Sequence, residues 1–375
     1  MNIKSKLNKI SAYILFSLLF IGCGFGESSG SYAEPDILRC PNAPLVILDN
    51  DNFDPDWLVT LVTAIGLDQN CEINLIGVMV NGKDTHDKAG LMYETVLYYY
   101  GIQDRVPLAT NHTLPMRTTP TKQTADDPHI DPAYKGDQKR ITDFESDGIL
   151  DSDRADVTTV LCKVLKDVPD HSVYYVTGGH LQNIQALLMR YDRECDGYGL
   201  VVDKVKEFVF GTGYSKDREG RPEMNFSEGR YDKTAASEAA NYVFNSGIDS
   251  YVPFVFPHDG LKWSPSYRPG DQYKDQVHVI SPMAFVYAID TYGTWGDHGV
   301  GDADIVLSLV KKFQERIASP RRQVCIELNP ENAIIHINEE GKCNHYISTL
   351  LPEGPSLINQ ELNALMNQPT NDGKI

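Results

Sequence analysis

Short apolar runs and amphipathic stretches alternate along this chain. "APLVILD" (43–49) is continuous and rich in branched residues, the pattern of a strand buried on both faces. "PDWLVTLVTAIGL" (55–67) follows with apolar residues at helical spacing and Pro55 placed for the first turn. The rhythm repeats as strand "INLIGVMVN" (73–81), helix "DKAGLMYETVLYYYG" (87–101), strand and turn "HSVYYVTGG" (171–179) and helix "LQNIQALLMRYD" (181–192). It continues with "VKEFVFGTG" (205–213), "DKTAASEAANYVFNSG" (232–247) and "SYVPFVFP" (250–257). Such alternation predicts an α/β fold, a mostly parallel sheet with helices on both faces. "QVCIELNPENAIIHINEEGKC" (323–343) reads as a C-terminal hairpin and "SLINQELNALMNQP" (356–369) as a terminal helix. Residues 108–153 break the pattern: polar, Pro-rich and acidic, they read as one long binding loop.

The N-terminus belongs to a different class of pattern. Lys4, Lys6 and Lys9 precede the apolar stretch Ile10–Ile21, which is too short for a helix that spans a bilayer in about 20 residues. This is the layout of a secretory signal over 1–22. "LFIGCG" resembles a bacterial lipobox, which implies cleavage before Cys23 and lipid on its sulfur, with ordinary signal cleavage as the alternative. Residues 23–40 then form a Gly/Ser-rich tether, and 41–369 the folded body. The expected location is the bacterial cell envelope, lipid-anchored, with the body on the periplasmic or extracellular side.

Charge narrows the partners. The whole chain has 34 basic and 52 acidic side chains; three lysines and no acid precede Cys23, which leaves 31 against 52, a formal charge of −21. So acidic a body repels phosphate backbones, which argues against nucleic acid, and contact with a membrane is expected through the lipid alone. Cys40, Cys71, Cys162, Cys195, Cys325 and Cys343 remain besides Cys23. An even count in an exported chain favours disulfides, and neighbours in sequence suggest the pairs 40–71, 162–195 and 325–343, with buried free thiols as the alternative.

The candidate chemistry starts at "DNDNFDPD" (49–56), where Asp49, Asp51, Asp54 and Asp56 fall between a buried strand and a helix start. Ligands of open α/β sheets gather at that end of a strand. Converging carboxylates there suit Ca²⁺ or Mg²⁺. Acids at a helix N-terminus equally serve as caps and dipole partners, so this stretch alone leaves both readings open.

Five segments in order extend the picture. "DNDNFDPD", the strand ending "VMVNGKDTHDKA", "VTGGHLQNIQALL", "PEMNFSEGRYDKTAASEAANYVF" and "SPMAFVYAID" resemble successive signatures of the inosine–uridine preferring nucleoside hydrolase family. The resemblance implies a Rossmann-like core and hydrolysis of ribonucleosides to ribose and base, with a Ca²⁺-bound water as attacking group. It implies Asp51 as calcium ligand and base, Asp56 and the Thr177 carbonyl as further ligands, and Asp49 as their support. It also implies Asn81, Glu223 and Asn225 as ribose contacts. The small-molecule partner would be a nucleoside; association into a homo-oligomer is left open.

The sequence departs from the family pattern at several of these positions. Pro55 stands where the family has the first of two paired acids, with Asp54 one residue away as the substitute, and Phe53 replaces a glycine. Ile280 and Ser281 stand where the family has His-Asp, so Ser281 takes the place of a ligand and ribose-binding acid. His180, in a turn one residue longer than the family's, is the candidate leaving-group acid; an exposed residue at a helix start is the alternative. His278, Asp297 and His298 read as surface residues. These departures keep a second function in view, a catalytically impaired lipoprotein that binds nucleoside or ribose and retains the fold.

Overall fold

A computed structural model describes residues 39–50, 55–81, 89–112, 146–211, 233–255, 303–332 and 334–366. The first half alternates strictly: β1 (Leu45–Asn50), α1 (Pro55–Gln69), β2 (Asn74–Val80), α2 (Ala89–Tyr99), β3 (Leu108–Thr110), α3 (Val157–Lys166), β4 (Val173–Thr177) and α4 (Gln182–Met189). Then come α5 (Gly197–Lys204), β5 (Val205–Phe210), α6 (Lys233–Phe244), β6 (Ser250–Val255), α7 (Ala303–Leu307) and α8 (Lys311–Ile317). β7 (Arg322–Leu328), β8 (Ile335–Asn338), β9 (His345–Thr349) and α9 (Gly354–Met366) complete the described chain.

The strands form one sheet in the order β3-β2-β1-β4-β5-β6-β9-β7-β8. Every pairing from β3 to β9 is parallel; β7 runs antiparallel to both β9 and β8. The order reverses between β1 and β4, because β2 and β3 are laid down on one side of β1 and β4 on the other. The expected hairpin is present as β7–β8. Two short strands, β3 and β9, escape the hydropathy pattern: β3 opens what reads as a long loop, and β9 joins the hairpin to the parallel sheet.

β1 shows why its sequence is an unbroken apolar run. Val46 and Leu48 enter one core with α1, α2, α7, α8 and α9, while Leu45 and Ile47 enter a second core with α3, α4, α5 and α6. Both faces are covered, so both sets of alternating side chains must be apolar. Helix ends follow local chemistry. Asp156 caps α3 by accepting the Thr158 N–H at 2.9 Å, and Lys163 and Lys166 occupy its last turn. Gly197 lets α5 start against the end of α4: a Cβ there would lie 1.8 Å from the Leu187 carbonyl oxygen.

The amino-terminal pole of the sheet is pinned. The Asn74 carboxamide accepts from the Cys40 N–H at 3.0 Å and donates to the carbonyls of Cys40 and Ala43. The buried Asp68 carboxylate takes the Leu75 N–H at 2.9 Å, Arg105 in a two-pronged contact and Arg39 at 3.2 Å. Disulfides join Cys40 to Cys71, Cys162 to Cys195 and Cys325 to Cys343, the three local pairs expected. Each closes a loop of moderate length, for which chain entropy gives roughly 3–4 kcal/mol.

Candidate functional site

Where the strand order reverses, the carboxyl ends of β1 and β4 lie at the position where open α/β sheets generally hold their ligand crevice. Asp49 of β1 stands in register with Thr177 of β4. Its carboxylate is fully buried and accepts two hydrogen bonds, from the Tyr175 hydroxyl at 2.8 Å and from Asn183 Nδ2 at 2.7 Å. Burial first, and the Asp49 carboxylate second, push the Tyr175 hydroxyl far above its ordinary pKa. Tyr175 therefore keeps its proton and donates it. The Asn183 Oδ1 in turn accepts from Asn111 Nδ2, at the carboxyl end of β3.

Next to this chain of bonds lie two asparagines of another kind. Asn50 and Asn81 are both fully buried, and the Asn81 N–H donates to the Asn50 carbonyl. Among the described residues, the carboxamide nitrogen and oxygen of both side chains have no hydrogen-bond partner. Buried polar atoms are otherwise satisfied in more than about nine cases in ten, so such a pair is an exception within a folded protein.

On the β4 side, Thr177 Oγ1 accepts the Gly179 N–H at 3.1 Å, which folds the turn back ahead of α4. His180 in this turn is buried, not the exposed residue at a helix start that the alternative supposed. The Thr177 carbonyl accepts the Gly211 N–H at 2.8 Å, which commits one of its two lone pairs to the sheet.

The rim beside β3 is held by a buried polar clasp. Asp151 receives the N–H groups of Ala89 and Gly90 at 2.9 and 2.7 Å and so caps α2. Its carbonyl takes Thr110 Oγ1 at 2.8 Å and lies 3.1 Å from His112 Nε2. Arg154 grips Asp147 with both terminal nitrogens, at 2.8 and 2.9 Å, and stands 3.5 Å from Glu94. Burial drives the Glu94 carboxyl up to about 7, against the pull of Arg154 and helped by Asp147.

Of the expected site residues, Asp49, Asn81, Thr177 and His180 come together at the carboxyl pole. Pro55 opens α1 as expected, and Asp56 lies in its first turn. Its side chain is outside the described atoms, while Cys23, Asp51, Phe53, Asp54, Glu223, Asn225, His278, Ile280, Ser281, Asp297 and His298 are outside the described residues. Among the described residues no three His, Cys, Asp or Glu side chains converge on a metal position. Asn50, Asn111, Tyr175 and Asn183 are additions that hydropathy and motif order did not single out. The signal that could have found them is a polar residue near the end of a buried strand, or in the first turn of the helix that follows one.

No family model and no curated protein matches the chain. Solved structures do. The plant nucleoside hydrolase PpNRh1 superposes with a TM-score of 0.57 at 15% identity, over 86% of this chain and 99% of that one. The inosine-uridine preferring nucleoside hydrolase from Bacillus anthracis gives 0.52 at 14%, over 85% and 98%. The type III effector protein XopQ, solved in complex with adenosine diphosphate ribose, gives 0.56 at 16%, over 87% and 94%. This is an α/β protein with a Rossmann-like, mostly parallel sheet. More narrowly, it has the nucleoside hydrolase fold.

Proposed function

We propose that this protein hydrolyses the N-glycosidic bond of a ribonucleoside or a related N-ribosyl compound, giving ribose and the free base. The observation that carries the reading is the Asn50–Asn81 pair, buried and, among the described residues, without side-chain partners at the carboxyl pole of the sheet. A carboxamide offers donors and an acceptor without charge, which matches sugar hydroxyls that both donate and accept. Each unsatisfied buried group costs roughly 1–3 kcal/mol, a cost that a bound polyol removes. The neighbours named as nucleoside hydrolases, and the effector solved with adenosine diphosphate ribose, support a ribosyl ligand.

Calcium fits the donors this chain supplies. The unpartnered amide oxygens, the remaining lone pair of the Thr177 carbonyl and the acids of 49–56 are all hard oxygens. Asp51, Asp56 and Thr177 would hold the ion, which when bound orients and acidifies water. The chain's own groups do the rest. Asp51 takes the water proton, Asp49 fixes the strand end from which Asp51 follows, and Asn81, Glu223 and Asn225 hold the ribose, with Asp54 and Ser281 as further substrate contacts. Carboxylates around the sugar stabilise the positive charge that builds as the bond breaks. His180, buried beside the crevice, supplies the leaving-group proton. A lipid on Cys23 keeps this chemistry at the cell envelope.

The test is release of reducing sugar from a panel of purine and pyrimidine nucleosides by the purified protein, with and without EDTA. Release that EDTA abolishes supports the reading. Nucleoside binding without release from any substrate overturns it in favour of the impaired binding protein, the reading that Pro55, Ile280 and Ser281 motivate.

A further inference from the structure

We propose that Asn183 is a positioning residue, whose carboxamide ties the carboxyl ends of β1 and β3 together across β2 and so holds the backbone around Asn81 in place. The strand order places β2 between β1 and β3, and Asn81 directly follows β2. Asn183 itself belongs to the first turn of α4, on the far wall of the crevice. It is fully buried, donates to Asp49 on β1 at 2.7 Å and accepts from Asn111 at the end of β3.

The direction of each bond follows from chemistry. An ionised carboxylate accepts only, so the Tyr175 hydroxyl and the Asn183 NH₂ each present a hydrogen to Asp49. With its nitrogen turned to Asp49, Asn183 has only its oxygen left for Asn111, which must donate. An asparagine amide has two orientations of equal shape, and here the two neighbours allow one. Asn183 is thus locked from both ends, and a rigid link results between three elements that the backbone alone does not join. What the framed groups do for catalysis rests on the function proposed above; the link itself does not.

Amide hydrogen exchange of the full chain tests this. The Asn81 N–H bonds to the Asn50 carbonyl and the Asn111 N–H to the Val80 carbonyl, so both report on the carboxyl pole. The Phe208 N–H, bonded to the Asp249 carbonyl at 2.9 Å, serves as a remote reference. Asn183→Ala should speed exchange at Asn81 and Asn111 at least tenfold and leave Phe208 unchanged. Asn183→Leu supplies a readout that mere loss of packing would not move, since it keeps the volume and removes both hydrogen bonds; its exchange should match that of Asn183→Ala. Asn111→Leu, which removes only the β3 end of the link, should speed exchange at Asn81 as well and decides alone if neither Asn183 variant folds. Unchanged exchange in Asn183→Ala, or wild-type exchange in Asn183→Leu or Asn111→Leu, overturns the proposal. A wild-type protein that cleaves no nucleoside overturns the proposed function instead and leaves this comparison valid.

Discussion

Glu94 gives the sharpest test of the rim. Its carboxyl is 7% exposed and has been driven from an ordinary value of 4.5 to about 7. The folded state therefore holds a proton between those values that the unfolded chain releases, and stability falls as pH rises through this window. The cost is absent below about pH 4.5 and complete above about pH 7. At about 1.36 kcal/mol per pH unit it amounts to roughly 3 kcal/mol. Glu94→Gln keeps the shape and removes the charge. Arg154 is not stranded by the change, because it retains both contacts to Asp147 and its bond to the Ile149 carbonyl at 2.9 Å. Thermal and urea unfolding of wild type and variant at pH 5, 6, 7 and 8 measures the effect. The variant should match wild type within about 1 kcal/mol at pH 5 and exceed it by roughly 3 kcal/mol at pH 8. Parallel stability curves, or a variant less stable at pH 8, would refute the reasoning, since they would mean that Glu94 ionises in the fold without penalty.

Other expectations follow from single contacts. Gly197→Ala should lower stability by roughly 1–3 kcal/mol, seen as a reduced melting temperature, because its Cβ meets the Leu187 carbonyl and the end of α4 must shift. Asp51→Asn should reduce nucleoside turnover by at least about 100-fold while melting stays near wild type, the scale of a lost general base; turnover within threefold of wild type would remove Asp51 from the mechanism. Cys23→Ser should move the protein from the membrane fraction to the soluble fraction, and unchanged fractionation would count against the lipid.

How much of this was legible in the sequence depended on where burial came from. β1, β2 and α1 announce themselves because each carries its own signal: a continuous apolar run between two helical layers, or apolar residues at helical spacing. β3 has three residues, and β9 earns its place only by pairing with β6 and β7, strands far away in the chain. Local pattern cannot show that. Asp49 was visible as part of an acid-rich stretch at a strand end. Asn183 and Asn111 were not, because neither stands in a run or a spacing that points to chemistry. They matter because the strand order brings β3 and α4 to either side of β1, and topology of that kind is not written in any one segment.

The pin at the amino-terminal pole also settles how the molecule carries load. Cys40 is bonded to Cys71 just beyond the end of α1, and Arg39 is clamped to Asp68 in its last turn. The helix starts at Pro55, beside the crevice, and its 15 residues span about 22 Å. It acts as a strut from one pole to the other. Force applied to the backbone at Arg39 meets the disulfide and the Asp68 ion pairs at the foot of that strut before it reaches Asn50, Asn81 or Asn183 at the opposite pole.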